Sequence, residues 1–168
     1  MIEGNNVEVI IPVQFQGAGA TPDNIERFKK GIRHWWGGNK GHYHVKVRVV
    51  NQPPGPHTNV ITIPVQNARV NVTGGLPGNH CTIGANELLE NCGWVAAHEA
   101  GHLMGLDDRY NRVTGRPNPG WAQNGMGAYG SPFNSTNIHA IIEINGPTPR
   151  RNAIPLPSDT EILLNGAE

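Results

Sequence analysis

His98-Glu99-Ala100-Gly101-His102-Leu103-Met104-Gly105-Leu106-Asp107-Asp108 is the stretch around which the rest of the chain falls into order. Residues four apart on a helix lie one turn apart on the same face, so the imidazoles of His98 and His102 can reach one tetrahedral ion. Glu99 is rotated by about 100° from His98, which places it beside such an ion rather than on it. A carboxylate there can take a proton from a water. Gly105 supplies the left-handed residue with which a helix stops and turns its chain back. Asp108 follows three residues later, where a third donor would close the site. A chain of this composition carries His-Glu-x-x-His by chance about once in fifty, and adding Gly105 and Asp108 takes that well below roughly one in a thousand. Two surface histidines on an ordinary helix are therefore a poor account of the pattern.

Working outward, the motif sits on a helix expected from about Gly93 to Met104. Upstream, Val7, Val9, Ile11, Val13 and Phe15 alternate with Glu8, Ile10, Pro12 and Gln14, the period of a strand, and Pro12 implies interrupted hydrogen bonding on one side. Thr21 reads as an N-cap with Pro22 at the first helical position. Ile25, Phe28, Ile32 and Trp35 or Trp36 follow at helical spacing, and Gly37-Gly38 ends the element. Tyr43, Val45, Val47 and Val49 give a second strand, Ile61, Ile63 and Val65 a third, and Val70 with Val72 a short fourth. Residues 74–92 are rich in loop formers, with a short edge strand expected around Thr82-Ile83. A last helix is expected from about Thr136 to Asn145, stopped by Gly146-Pro147, and the proline-rich stretch that follows reads as an extended tail over 147–168. The order of elements implies one α+β domain over residues 1–168: a twisted mixed sheet, a backing helix, the motif helix and a smaller C-terminal part.

The chain has 168 residues, enough for one main core, and 13 basic residues balance 13 acidic ones. No global field therefore favours nucleic acid or an anionic membrane, and no apolar run approaches the roughly 18 residues of a membrane span. With 22 glycines and 14 prolines the regular elements should be short. Met1-Ile2-Glu3-Gly4 reads as an added start ahead of an excised domain and is left out of the fold expectation. Cys81 and Cys92 are the two cysteines. Bonded, they close a small loop and stabilise by about 3 kcal/mol; unbonded, they are two partly buried thiols. His42 and His44 point the same way from a strand, and exposed strand histidines are their plain reading.

The extended motif resembles the signature of the metzincin zinc peptidases, His-Glu-x-x-His-x-x-Gly-x-x-His or Asp, and the Asp form is similar to the small snapalysin-type peptidases. Asn124-Gly125-Met126-Gly127 looks like the methionine turn of that clan. The resemblance implies a zincin-like fold, one zinc ion per chain held by His98, His102 and Asp108, Glu99 as the catalytic base, and Met126 as an apolar floor under the imidazoles. Clan members often carry a tyrosine two residues after this methionine to support the oxyanion. Tyr129 comes three after, and Tyr110 is its rival. Asp107, His139 and Glu143 stay open as alternative third ligands. Leu106-Asp107-Asp108-Arg109-Tyr110 and Pro119-Gly120-Trp121 also resemble metallopeptidase toxin domains at the C-termini of bacterial polymorphic toxins. That likeness implies a monomeric domain secreted or delivered from a larger parent, a protein or peptide substrate and a cognate immunity protein. Two rival readings keep the metal: a non-catalytic zinc-stabilised binding module, for which Glu99 has no use, and a zinc hydrolase of a non-protein amide.

Overall fold

The structure is a computed structural model that describes residues 2–65, 71–73, 80–146 and 162–163. Its centre is one long strand, β2 (Asn6–Gln16), preceded by β1 (Ile2–Glu3). The helix α1 (Pro22–Trp36) follows, then β3 (Gly38–Lys40), β4 (Tyr43–Asn51), β5 (Asn59–Thr62), β6 (Asn71–Thr73) and β7 (His80–Thr82). A single 3-10 turn at Glu90–Gly93 leads into α2 (Trp94–Leu103); α3 (Ser135–Asn145) and β8 (Ile162–Leu163) complete the order. The architecture is α+β, with a mixed sheet in the order β3-β4-β2-β5-β7-β6. The β2–β4, β2–β5 and β5–β7 pairs are parallel, whereas β3–β4 and β6–β7 are antiparallel.

The alternation in β2 becomes two faces. Val7, Val9, Ile11 and Val13 join Val45, Val47, Val49, Ile61 and Ile63 in the core beneath the helices. On the opposite face Glu8 lies 3.2 Å from Lys46 and 3.8 Å from Arg48, which sit on β4. Pro12 behaves as its chemistry requires. The carbonyl of Val13 accepts from Gln52 on the β4 side, so Pro12, one residue earlier, faces the other edge. On that edge β5 begins only opposite Val13, and the side-chain amide of Asn59 reaches the Pro12 carbonyl at 3.0 Å. The missing N–H thus falls where no strand needs it.

Thr21 caps α1 through its side chain, and Gly37 closes it. Phe28, Ile32 and Trp36 are buried, while Trp35 stays half-exposed, which settles the choice between the two tryptophans. Gly31 meets Gly93 so closely that a Cβ on Gly31 would stand 2.7 Å from the Gly93 carbonyl oxygen, so α1 touches the start of α2 backbone to backbone. Trp36 donates to the carbonyl of Ala97 at 2.8 Å and stacks on Phe133 at 4.0 Å, tying α1 to α2 and to the C-terminal part.

Two expectations change, and of the two states open to the cysteines the structure has the unbonded one. Residues around Thr82 form β7, which lies between β5 and β6 rather than at an edge, because β6 pairs outside it. Ile2–Glu3 belong to the sheet: Gly4, at φ 58°, turns β1 back onto β2, with Glu3 opposite Asn6. Cys81 and Cys92 are free thiols, since Cys81 is buried on β7 in the core while Cys92 is exposed in the left-handed turn before α2. Val70 and the tail over 147–168, apart from Ile162–Leu163, which pair with Val9–Ile10, lie outside the described residues.

Candidate metal centre

α2 is buried on nearly every side, so its two histidines are fixed by packing rather than by solvent. His98 Nδ1 lies 2.9 Å from the carbonyl of Gly125, and His102 Nδ1 lies 2.7 Å from the carbonyl of Leu106. A carbonyl only accepts, so both Nδ1 atoms carry a hydrogen, and in the neutral ring each Nε2 is left with a lone pair. Each of those Nε2 atoms stands 3.2 Å from Oδ1 of Asp108.

Three acceptors converging on one point require positive charge among them, supplied by protons or by an ion. Donors about 2.1 Å from a tetrahedral zinc stand about 3.4 Å from one another, close to the observed spacing. The ligand atoms of His98, His102 and Asp108 all lie within 4.8 Å of one another, the only such trio among the described residues. Two imidazoles and a carboxylate, with the imidazole N–H groups tied back to carbonyls, fit zinc with a position left open.

The turn behind α2 makes the third donor possible. Gly105 has φ 90°, and the N–H of Leu106 returns to the carbonyl of Gly101 at 2.9 Å. The chain then runs back under the helix, where the N–H of Arg109 donates to the carbonyl of Met126 at 2.7 Å. Asp108 faces the imidazoles, while Asp107 points to solvent. His139 and Glu143 pair with each other at 3.2 Å on the exposed face of α3, with His139 also near the Tyr43 hydroxyl. His42 and His44 are exposed; His44 pairs with Asn39, and His42 packs on the ring of Tyr43.

Met126 is buried, with its thioether against Gly101, the residue that precedes His102. A Cβ at Gly101 would lie 2.5 Å from the sulfur and 3.3 Å from the Trp36 ring, so a side chain there would push the methionine from its place. The turn carrying Met126 is held by residues that sequence reasoning passed over. Oδ1 of Asn124 accepts from the N–H of Met126 at 2.9 Å, and its amide donates to Asn137 at 2.8 Å and to Asn134 at 3.2 Å. Asn134 and Asn137 form the capping box of α3, so one asparagine network joins the methionine turn to that helix. The signal was present as three asparagines, Asn124, Asn134 and Asn137, the last two at N-cap and N3 spacing.

Charge sharpens the site. Burial works against a proton on His102, but the Asp108 carboxylate, Glu99 and the Leu106 carbonyl outweigh it and raise its pKa above the ordinary imidazole value. Burial would raise Asp108 as well, yet hydrogen bonds from His102 and His98 hold it well below the carboxylate range. Glu99 is pushed up by burial and by Asp108, against the pull of the two imidazoles. Of the two tyrosines, Tyr110 belongs to the centre. Burial, the charge of Asp108 and a hydrogen bond to it raise its pKa, and its ring lies 6.4 Å from that of His98. Tyr129 is exposed, set edge-on to Trp94, with its hydroxyl towards Glu90. Trp94, also missed in the sequence, stacks on His98 at 5.0 Å.

No family model and no curated protein matches this sequence. Among solved structures the chain is similar to high choriolytic enzyme 1, a hatching enzyme zinc-protease from the medaka fish Oryzias latipes. That likeness has 13% identity and a TM-score of 0.39, over 73% of this chain and 60% of the other, so the chain spans about three fifths of that structure. It is also similar to an archaemetzincin from Methanopyrus kandleri, at 14% identity and a TM-score of 0.39, over 84% of this chain and 97% of the other.

Proposed function

We propose that the chain is a zinc-dependent endopeptidase of the metzincin kind, with His98, His102 and Asp108 as metal ligands and Glu99 as the general base. The observation that carries the reading is the convergence of two Nε2 lone pairs and Oδ1 of Asp108, beside a buried carboxylate that takes no part in the donor set. Zinc bound there supplies Lewis acidity and an open position that lowers the pKa of a water towards about 7. Glu99, whose pKa burial raises, takes the role of accepting a proton from that water and returning it to the leaving amine. Tyr110 brings a hydroxyl to the same centre and takes the role of supporting charge that develops on the scissile carbonyl oxygen. Met126 closes the floor with a buried thioether, too weak an acceptor to draw the imidazole N–H groups from the carbonyls that hold them.

A purely structural zinc site has no use for Glu99, which separates this reading from a zinc-stabilised binding module. The biological setting rests on the resemblance of residues 106–110 and 119–121 to bacterial toxin metallopeptidases: a domain delivered from a larger secreted effector and neutralised by an immunity protein. Glu99→Gln tests the mechanism. The variant should keep its metal, because all three ligands remain, and lose nearly all cleavage of a general protein substrate. Cleavage at near wild-type rate would leave Glu99 without its role.

A further inference from the structure

Asp108 divides its two oxygens. Oδ1 faces His98 and His102, and Oδ2 receives Arg112, with Nη2 at 3.0 Å and Nε at 3.2 Å. An arginine beside a carboxylate commonly forks across both oxygens. Here both nitrogens go to one oxygen and the other faces the imidazoles, with the Tyr110 hydroxyl also hydrogen-bonded to this carboxylate. The Asp108 side chain is only 11% exposed, whereas that of Arg112 is 80% exposed, so the guanidinium closes the solvent side of the carboxylate.

The arginine is carried on a hairpin whose backbone is fixed without it. The N–H of Asn111 donates to Arg116, and that of Asn118 donates to Arg109, both at 2.8 Å. At the tip, Oδ1 of Asn111 accepts from the N–H groups of Val113 and Thr114, and Gly115 turns the chain at φ 67°. With its guanidinium in solvent, the pair adds little to stability, so the fold does not explain why the contact is built this way.

We propose that Arg112 is a positioning residue of the metal centre: by occupying Oδ2 it makes Asp108 a one-oxygen donor and keeps a coordination position open for water. This rests on the reading of His98, His102 and Asp108 as ligands. A carboxylate with both oxygens free can bind an ion through both, which would fill the position that hydrolysis needs.

The test uses Arg112→Ala and Arg112→Lys, with cobalt(II) loaded in place of zinc as a spectroscopic probe. Four-coordinate cobalt absorbs more strongly in the visible than five-coordinate cobalt. Arg112→Ala should keep zinc affinity within a few-fold in chelator competition, show weakened cobalt absorption and lose about tenfold in kcat. Arg112→Lys should recover part of both signals. An unchanged cobalt spectrum in Arg112→Ala overturns the proposal whatever the activity does, because the arginine would then act elsewhere. Outright loss of metal also overturns it, since the side chain would be supporting affinity rather than coordination number. A wild-type protein that takes up cobalt and cleaves no peptide sinks the peptidase reading and leaves the spectral test standing. One that takes up no cobalt ends both.

Discussion

Two hydrogens organise the centre, those on Nδ1 of His98 and His102, because each is spent on a carbonyl and so turns Nε2 inward. The same logic ranks the tyrosines. Tyr110→Phe should lower kcat with little change in KM, while Tyr129→Phe, whose hydroxyl faces Glu90, should leave the rate near wild type. Equal losses in a peptide assay would contradict that ranking. Gly101→Ala should destabilise by about 1–3 kcal/mol in urea unfolding, because its methyl meets the Met126 sulfur in a packed core; an unchanged midpoint would mean the methionine moves freely. At this scale the sequence is most legible where periodicity alone sets the geometry, as for His98, Glu99 and His102. Spacing favours Asp108 with Asp107 as the alternative, but which of them faces inward depends on the path out of Gly105. Leu106 returning to Gly101 fixes that path.

The elements show where local signals reach and where they stop. α1, α2 and α3 begin and end within a residue or two of the expected positions, because caps such as Thr21 and terminators such as Gly37 act locally. β7 was misplaced because its neighbours, β5 and β6, are chosen by sheet pairing over distances that no local pattern encodes. β1 lies in the stretch that resembles an added start, although Gly4-Asn5 is a two-residue hairpin signal that places it on β2. The asparagine network is a junction between elements and so is invisible to any single one. Asn124→Ala should leave the Met126 N–H and the side-chain NH2 of Asn137 without their Asn124 partner, while Oδ1 of Asn137 keeps the N–H of Asn134, at a cost of about 1–3 kcal/mol for each buried group left unpaired. Because the Gly125 carbonyl holds His98, zinc affinity should fall along with stability. Calorimetry and chelator competition on this variant check the link, and a stability loss with wild-type zinc affinity would break it.

Across the whole molecule, protons and metal compete for the same atoms. In the metal-free protein the depressed pKa of Asp108 contributes stability that is lost as pH falls through its folded value. The raised pKa of His102 contributes stability present below its unfolded value, near 6.5, and lost as pH rises through its folded value. The pair therefore stabilises the metal-free protein most between about pH 4 and 6.5. Zinc held by these ligands would displace the proton that the raised pKa of His102 favours, so the rise in Tm on adding zinc should be larger at pH 8 than at pH 5.5. A pH-independent rise would show that the metal sits elsewhere. The free cysteines give a separate check on the fold: Cys92 should react with a thiol reagent in the native state and Cys81 only on unfolding, whereas two unreactive sulfurs released by reductant would restore the disulfide. The most direct test of the centre itself is metal content by elemental analysis of the wild type, His102→Ala, Asp108→Ala and Asp107→Ala. One zinc per chain is expected in the wild type and in Asp107→Ala, with steep loss in the other two. Full zinc in Asp108→Ala, or no zinc in the wild type under zinc-replete conditions, would contradict it.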